Sequence, residues 1–235
     1  MIGLVLPEPD SHPFDDQALA ASYEAWYETE GYTANLAERD LLGWLLSGFV
    51  GARTVLEIGT GTGHFARWLS ELGWHVIGVD ASAPMLAEAV RRGGVSLARA
   101  DASTLPFAPG VFDVTLLITT LEFLPDPILA LHEAARVARR GVVVGVLNRW
   151  HPLAWQRKRS GLPLWQVAHF YSPPELANVL RRALGAQVGE IAWRTTLLLR
   201  IWPCRHSRLP FGEFIGMRVE LSRKEDEQPW KSNMQ

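Results

Sequence analysis

Short apolar runs rich in β-branched residues alternate with amphipathic segments over most of this chain. The runs predicted as strands are Thr54–Ile58, His75–Val79, Val95–Ala100, Phe112–Thr119 and Gly141–Leu147, and the helices predicted between them are Gly63–Leu72, Ser82–Arg91 and Asp126–Arg139. Runs without polar alternation are typical of strands covered on both faces. This order therefore predicts an α/β fold, a doubly wound and mostly parallel sheet with helices on both faces.

Both ends of the chain extend this pattern. Helices are predicted at Asp16–Thr29, Asn35–Leu46 and Pro173–Leu184, and late strands at Val188–Thr196 and Phe214–Leu221. Because no clear helix separates the late strands, we expect an antiparallel pair at one edge of a seven-stranded sheet. The predicted divisions are N-terminal helices (1–50), a sheet domain (51–221) with an irregular stretch at 148–170, and a disordered polar tail (222–235).

The composition is that of an ordinary soluble globular protein, with 235 residues of which 48% are hydrophobic and 20% charged. The single cysteine, Cys204, excludes an internal disulfide framework, a cysteine-based zinc site and a three-cysteine iron–sulfur site, and we expect no metal. Apolar runs such as Val114–Leu121 are too short to span a membrane. The opening residues Met1–Pro7 lack the features of a signal peptide, so a cytoplasmic location is expected.

The charges are unevenly distributed along the chain. Residues 1–50 carry nine acids and one base, Arg39, whereas residues 136–159 carry seven bases and no acid. One interpretation is an acidic N-terminal layer that docks against a basic flank. The other is that the basic flank attracts an anionic substrate or nucleic acid. A pI near 6.4 argues against an extended nucleic-acid surface, and we expect none.

The segment Glu57–Gly63 follows the first predicted strand and has the spacing Gly-x-Gly-x-Gly. Glycines at such a position let the backbone turn tightly and approach a ligand closely. His64 stands where a dinucleotide-binding fingerprint has its third glycine, and is predicted to begin a helix next to cofactor or solvent. The carboxylate of Glu57 would repel a pyrophosphate, so the loop suits a ligand that carries a positive charge.

Two aspartates end the strands that follow. Asp80 ends the second predicted strand and Asp101 the third. An acid at the first position can accept hydrogen bonds from both ribose hydroxyls, and an acid at the second can accept one from the amine of a base. Each alone could be a turn or cap residue, but together they indicate a nucleoside lying across the edge of the sheet.

Six motifs in order carry a family resemblance. They are Glu57–Gly63, Val79-Asp80, Ala100-Asp101-Ala102, Leu105-Pro106-Phe107, Phe112-Asp113 and Leu121–Asp126. In this sequence they resemble the motifs of class I S-adenosylmethionine-dependent methyltransferases, above all the small-molecule group with the ubiquinone and menaquinone enzymes. The resemblance covers residues 15–185 and implies a Rossmann-like domain, N-terminal helices that form a lid, and an acceptor-site cap at 148–171.

The resemblance also implies a role for each matching residue. Glu57, Gly59 and Gly61 would hold the methionine moiety of S-adenosylmethionine, Asp80 the ribose, Asp101 with the Ala102 amide the adenine, and the backbone at Thr119 the methionine ammonium. Thr60, Gly63 and Ala81 belong to the same loops, and Tyr23 with Trp26 or Tyr27 would face the cofactor from the lid. The reaction implied is in-line methyl transfer to a small molecule, with S-adenosylhomocysteine as product.

In-line positioning can supply most of the acceleration, and a general base is needed only for a poorly ionised acceptor. The candidates on segments that should overhang the cofactor are Glu122, His151 and His169, with Tyr171 as a weaker one. Phe123 stands where many relatives have histidine after the glutamate. That departure argues against a histidine base there, and each candidate has an alternative role in packing or hydrogen bonding.

The acceptor is not identified by the sequence. Tryptophans 150, 155 and 165 lie in the predicted cap, where they either pack a loop-rich segment onto the sheet or bind an apolar or aromatic acceptor. An anionic acceptor could be anchored by Arg149, Arg157 or Arg159. Alternative functions are an RNA or protein methyltransferase, a non-catalytic S-adenosylmethionine-binding regulatory subunit, and a nicotinamide oxidoreductase, the last disfavoured by Glu57 and the glycine spacing.

Overall fold

The computed structural model describes residues 13–198 and 206–222, whose strands form one sheet. The strands are β1 (Thr54–Ile58), β2 (His75–Asp80), β3 (Ser96–Arg99), β4 (Phe112–Ile118), β5 (Ala138–Leu147), β6 (Val188–Thr196) and β7 (Phe214–Leu221). The helices are α1 (Gln17–Glu28), α2 (Tyr32–Ser47), α3 (His64–Glu71), α4 (Ala83–Arg92), α5 (Pro127–Val137), α6 (Pro152–Arg159), α7 (Pro163–Val167) and α8 (Pro173–Leu184), with short 3-10 turns at Pro13–Asp15, Leu121–Phe123 and Gly185–Gln187.

The strand order is β3-β2-β1-β4-β5-β7-β6. Strands β1 to β5 are parallel to their neighbours among these five, whereas β7 pairs antiparallel with β5 and β6. The predicted α/β fold with an antiparallel pair at one edge is therefore confirmed. The chain winds outward from β1 through β2 to β3 and then returns to β4 on the other side of β1, and such a reversal leaves a crevice at the carboxyl ends of the strands.

The alternation of side chains along β1 decides what each face of the sheet buries. Val55 packs with Leu41 of α2 and Leu69 of α3, and Leu56 packs on the opposite face with Leu131 of α5 and Leu176 of α8. Glu57 lies two residues after Val55 and therefore points to the face covered by α2 and α3. The carboxyl-terminal end of β1 thus places the carboxyl group of Glu57 inside an apolar layer.

Two predictions of local structure are wrong. The stretch 148–170, predicted to be irregular, contains α6 and α7, and each of these helices has a proline in its first turn, where proline costs no hydrogen bond. The helix predicted to reach Arg139 ends at Val137, because Ala138 already pairs with Phe112 in the sheet.

Among the described residues no ion pair joins the acidic N-terminal region to the basic flank as one interpretation predicted, although Arg140 of the flank donates to the Val50 carbonyl oxygen at 2.8 Å. In the flank, Arg139 binds Asp113 at 2.8 Å and Arg149 binds Glu175 at 2.7 Å. The polar tail predicted to be disordered lies, from residue 223 onward, outside the described residues. Within 13–198 and 206–222, no helix combines the length and the apolar character that crossing a membrane requires.

Two glycines give a matched test of this packing. A Cβ added at Gly141 of β5 would lie 2.3 Å from a Phe49 ring carbon and 2.5 Å from the Val219 carbonyl oxygen, whereas a Cβ at Gly43 of α2 would meet nothing within 4 Å. We expect Gly141→Ala to lower the free energy of unfolding by about 1–3 kcal/mol through overpacking. Gly43→Ala should raise it by about 0.5–1 kcal/mol through helix propensity. Urea unfolding measures both, and equal effects would contradict the packing described.

Candidate cofactor site

A cavity of about 590 Å³ lies at the carboxyl ends of β1, β2 and β4. Ten of the twelve residues predicted to bind the cofactor line it, namely Tyr23, Glu57, Gly59, Thr60, Gly61, Asp80, Ala81, Asp101, Ala102 and Thr119. Gly63 and Trp26 are not part of this lining. In the part of the chain that the structure describes, no group of three or more His, Cys, Asp or Glu residues is placed to hold a metal ion.

The glycine loop makes its turn in the left-handed region of backbone space. Gly59, Gly61 and Gly63 have φ of +73°, +55° and +77°, values that side chains rarely tolerate. The amides of Gly59 and Thr60 donate to the Val79 carbonyl oxygen at 2.8 and 2.9 Å, which anchors the loop to β2. A Cβ at Gly61 would meet nothing within 4 Å, so the backbone there is open to a ligand. Gly63 instead turns the chain into α3.

Glu57 lies at the base of the cavity and is only 1% exposed. Burial raises the pKa of its carboxyl group to about 8, against the opposing effect of the Thr60 hydroxyl, which donates to it at 2.6 Å. A buried carboxyl group of this kind ionises when a cation comes within reach. The position therefore suits the positively charged ligand that the sequence predicts.

Asp80 and Asp101 lie on neighbouring walls of the same cavity. The Asp80 carboxylate accepts from the Gly61 amide at 2.7 Å and from the Ser82 amide at 2.8 Å, which fixes its orientation. Asp101 accepts through one oxygen, Oδ1, from the amide and the hydroxyl of Ser103 at 2.7 and 2.6 Å, and these hydrogen bonds lower its pKa. Backbone amides thus fix the Asp80 carboxylate in place, and the hydrogen bonds from Ser103 favour the ionised form of Asp101.

The turn after β4 brings a third strand end to the cavity. Thr119 has a φ of +49°, which is uncommon for a residue with a side chain. Its amide donates to the Gly145 carbonyl oxygen at 2.7 Å, and the Thr120 hydroxyl donates to the Ile118 carbonyl oxygen at 3.0 Å. This strained turn is fixed by the sheet on both sides, so the cavity wall beside it is preformed.

The N-terminal segment covers the cavity through Phe14, Tyr23 and Tyr27. The Ser82 hydroxyl donates to the Phe14 carbonyl oxygen at 2.7 Å, and the Phe14 ring meets Phe123 edge-on with centroids 4.9 Å apart. Of the predicted alternatives Trp26 and Tyr27, Tyr27 lines the cavity and Trp26 does not. Tyr23 and Tyr27 are one helical turn apart and share a face, whereas Trp26 is 37% exposed and lies against Gly31.

Glu24 joins α1 to the glycine loop, a role that sequence reasoning missed. This carboxylate is 4% exposed and binds the Arg67 guanidinium, the Thr62 hydroxyl (2.7 Å) and His64 Nδ1 (3.2 Å). The His64 ring also stacks on Tyr27 with centroids 3.8 Å apart. The predicted position of His64 at the start of α3 is confirmed, and its contacts run to the lid. The sequence did contain a signal for this role, because Glu24 lies between Ala20 and Tyr27 on the apolar face of α1.

The three candidate bases lie outside the cavity lining. His151 is the N-cap of α6, and its Nδ1 accepts from the Leu153 amide at 3.4 Å. The exposed His169 lies 2.9 Å from Glu175. Glu122 is 1% exposed and accepts the Leu147 amide at 2.7 Å. Of the three, only Glu122 is next in sequence to a residue of the lining.

The tryptophans of the cap comprise one partly buried side chain, Trp165, and two exposed ones. The ring centroids of Trp165 and Phe123 are 6.5 Å apart, and the Arg157 guanidinium carbon lies 5.2 Å from the centroid of the Trp165 ring. Trp150 and Trp155 are 45% and 59% exposed. Trp165 is therefore the one of these three that is placed near the cavity wall.

A family model described as a methyltransferase domain matches residues 56–145. A solved S-adenosylmethionine-dependent methyltransferase of Thermotoga maritima, described as a possible histamine N-methyltransferase, is 30% identical, with 87% of this chain and 96% of that chain covered and a TM-score of 0.73. The chain belongs to the class I S-adenosylmethionine-dependent methyltransferases. Its cofactor is S-adenosylmethionine.

Two curated relatives match a smaller share of this chain than the Thermotoga structure does. An uncharacterised protein of Mycobacterium tuberculosis is 36% identical over 167 residues, which are 68% of this chain and 56% of that protein. A demethylmenaquinone methyltransferase of Roseiflexus is 32% identical over 138 residues, 56% of this chain and 54% of that enzyme. The chain thus spans just over half the length of these curated relatives.

The Glu24 contacts predict an acid-sensitive stability. Burial alone would raise the pKa of Glu24, but the hydrogen bonds from His64 and Thr62 and the charge of Arg67 outweigh it and lower the pKa from 4.5 to about 2. A lowered folded-state pKa stabilises the protein above pH 4.5, and that stabilisation is lost as the pH falls toward 2.

We therefore expect Glu24→Gln to lower the free energy of unfolding at pH 6 by about 1–3 kcal/mol, and by progressively less between pH 4.5 and 2.5. Urea unfolding across this range measures the difference. Glu28→Gln, an exposed carboxylate on the same helix, serves as the control. A deficit for Glu24→Gln that does not change with pH would show that the carboxylate is not held ionised by these partners.

Proposed function

We propose that this protein transfers the methyl group of S-adenosylmethionine to a small-molecule acceptor. The observation that carries the proposal is the convergence of Glu57, Asp80 and Asp101 with an open glycine turn on one cavity. A nucleoside with a cationic amino-acid end needs hydroxyl acceptors, an acceptor for the base and a carboxylate for the ammonium, and these residues offer each in turn.

The cavity fits the cofactor on its own chemistry. Any side chain at position 61 would occupy the open space beside Gly61. The buried carboxyl group of Glu57 suits a positively charged group of the ligand. We assign the methionine moiety to Glu57, Gly59 and Gly61, the ribose to Asp80, and the adenine to Asp101 and the Ala102 amide. The backbone at Thr119 completes the wall near the ammonium.

S-adenosylmethionine bound there would supply a methyl group already activated on a sulfonium. The protein's own work is orientation and exclusion of water. Phe14, Tyr23 and Phe123 form an aromatic cover over the cavity, and the Glu24 contacts hold α1 in place above it.

The acceptor class is a separate proposal. The relatives from Thermotoga and Roseiflexus are described as a possible histamine N-methyltransferase and as a demethylmenaquinone methyltransferase, and the two names do not point to one acceptor. The expectation of an anionic acceptor finds less support, because Arg149 and Arg157 are bound to Glu175 and Glu213 at 2.7 and 2.5 Å. An apolar body is supported by the aromatic cover.

A ligand screen by thermal unfolding tests the proposal. We expect S-adenosylhomocysteine and S-adenosylmethionine, but not NAD, to raise the melting temperature, because a ligand at about 100 times its dissociation constant adds roughly 2.7 kcal/mol. For a domain of this size that corresponds to about 5–10 °C. A shift with NAD alone would favour the oxidoreductase alternative, and the absence of a shift with the sulfur ligands would refute the proposal.

The ribose assignment has its own test. Asp80→Asn removes a charged acceptor and should weaken S-adenosylhomocysteine binding by about 10- to 100-fold, or roughly 1.5–3 kcal/mol. Isothermal titration calorimetry measures the affinity, and the melting temperature without ligand shows whether the loop survives the change. Asp40→Asn, at an exposed position on α2, should bind as the unaltered protein does. Unchanged affinity in Asp80→Asn would remove Asp80 from the site.

A further inference from the structure

We propose that α6 and α7 form a surface that docks on an anionic lipid bilayer. The inference goes beyond methyl transfer and names a partner for the basic flank, whose role the proposed function leaves open. The surface, called the cap surface below, consists of the exposed side chains of Trp155, Lys158, Arg159, Leu162 and Val167. These combine large apolar groups with positive charge, the combination that holds a peripheral protein at the interface of a charged membrane.

The cap surface presents apolar side chains to solvent along one short segment. Trp155, Leu162 and Val167 are 59%, 55% and 57% exposed. A single exposed apolar side chain is ordinary, whereas a patch of them marks a contact site. Tryptophan in particular is enriched at membrane–water interfaces, where the indole lies at the level of the headgroups.

Helical spacing and two hydrogen bonds bring these side chains together. Trp155, Lys158 and Arg159 are three and four residues apart, so they lie on one side of α6, while Ala154 on its inner side is buried. The Lys158 ammonium donates to the Gln166 carbonyl oxygen, and the Gln166 side-chain amide donates to the Lys158 carbonyl oxygen, each at 2.9 Å. These bonds fix α7 against the end of α6 and place Val167, the next residue, beside the bases.

The two bases of the cap surface have no acid to neutralise them. Residues 148–174 contain no aspartate or glutamate, and neither Lys158 nor Arg159 forms an ion pair with any described residue. The Arg159 guanidinium carbon lies 3.7 Å from the centroid of the exposed Trp155 ring, which keeps a positive charge and an indole side by side in water. Such charges attract anionic headgroups.

The acids bonded to this part of the chain are already matched by other arginines. Glu213 is 2% exposed and binds Arg157 at 2.5 Å, and Glu175 binds Arg149 at 2.7 Å. The charges of these pairs cancel. The positive charge of the cap surface therefore remains in excess.

A second aromatic pair lies at the amino-terminal end of α6. Trp150 and Phe211 are 45% and 53% exposed, and their ring centroids are 6.1 Å apart. The Asn148 side chain holds the loop of Phe211 by donating to the Pro210 and Gly212 carbonyl oxygens at 2.8 and 2.7 Å. The pair adds exposed apolar area at the other end of the same helix.

The aliphatic groups of the cap surface favour a bilayer over other occupants. Nucleic acid is bound through phosphate contacts and base stacking, which give Leu162 and Val167 no role. A second copy of this face, packed about a two-fold axis, would bring like charges together. In a bilayer the apolar side chains enter the interface while the long side chains of Lys158 and Arg159 reach the phosphates.

The cap also touches the wall of the cofactor cavity. The ring centroids of Trp165 in α7 and Phe123 in the cavity lining are 6.5 Å apart. The His169 amide, two residues after Val167, donates to the Glu122 carbonyl oxygen at 2.7 Å. Docking through α6 and α7 would therefore hold the aromatic cover of the cavity close to the membrane.

Co-sedimentation of the full chain with sucrose-loaded vesicles tests the proposal. Vesicles of equimolar phosphatidylglycerol and phosphatidylcholine are compared with vesicles of phosphatidylcholine alone. We expect the partition coefficient to be about fivefold higher or more on the anionic vesicles. Raising the salt to about 0.5 M should remove most of this difference, because it screens the headgroup charge.

A matched pair of double variants tests the charge. Lys158→Gln with Arg159→Gln should lower the partition coefficient on anionic vesicles by about tenfold or more. Arg181→Gln with Arg182→Gln removes two exposed bases from the last turn of α8 and should leave the coefficient within about twofold, because these bases are not on the cap surface.

A matched pair of single variants tests the apolar contact. Trp155→Ser should lower the partition coefficient by about threefold or more, because binding scales with the apolar area that enters the interface. Leu72→Ser, at an apolar position that is also 59% exposed, should leave it unchanged. The melting temperature of each variant without vesicles shows that the fold is retained.

Other results would overturn the inference. Binding to neither vesicle, equal binding to both, or equal losses in the cap-surface variants and their controls would each exclude a lipid partner. An oligouridine that binds the unaltered chain but not the Lys158→Gln, Arg159→Gln variant would assign the surface to nucleic acid instead. A dimer seen by analytical ultracentrifugation and lost in Trp155→Ser would assign it to a second copy of the chain.

Discussion

The reversal of strand order between β1 and β4 is the constraint on which the site depends. Because the chain winds outward from β1 in one direction and returns on the other side, the connections after β1 and β4 diverge and leave the carboxyl ends of these strands uncovered. The sharp turns at Gly59 and Thr119, both at positive φ, then run along the two sides of this gap. A preformed cavity is the direct result of the topology.

Buried carboxyl groups give the region its electrostatic character, and they fall into two kinds. Glu24 is fully engaged by Arg67, Thr62 and His64, so it serves to hold the lid helix on the glycine loop. Glu122 differs, because its carboxyl oxygen Oε2 is buried and has no hydrogen-bond partner among the described residues. The engaged carboxylate stabilises the fold, whereas a buried polar atom without a partner costs stability.

Much of the fold and most of the cofactor cavity could be predicted from the sequence. Strands such as Phe112–Ile118 have apolar runs that only burial explains, and the glycines after β1 and the acid Asp80 have local requirements that their spacing displays. The helices α6 and α7 escaped prediction because their prolines resemble breaks in structure until their first-turn position is known.

What the sequence could not decide depends on packing between distant elements. Trp26 and Tyr27 are neighbours on α1, and only the contact of α1 with the glycine loop selects Tyr27 for the cavity. Glu38 appears as a solvated acid until α2 is laid on the sheet, and His169 appears free until Glu175 is placed beside it. Such choices follow from tertiary contacts that no local pattern records.

A crystal structure of the protein with S-adenosylhomocysteine tests the central claim most directly. The account predicts the ribose hydroxyls within hydrogen-bond distance of the Asp80 carboxylate, the adenine beside Asp101 and Ala102, and the amino-acid end over Gly59 and Gly61 next to Glu57. Binding at another place, or in this cavity without contact to Asp80, would contradict it.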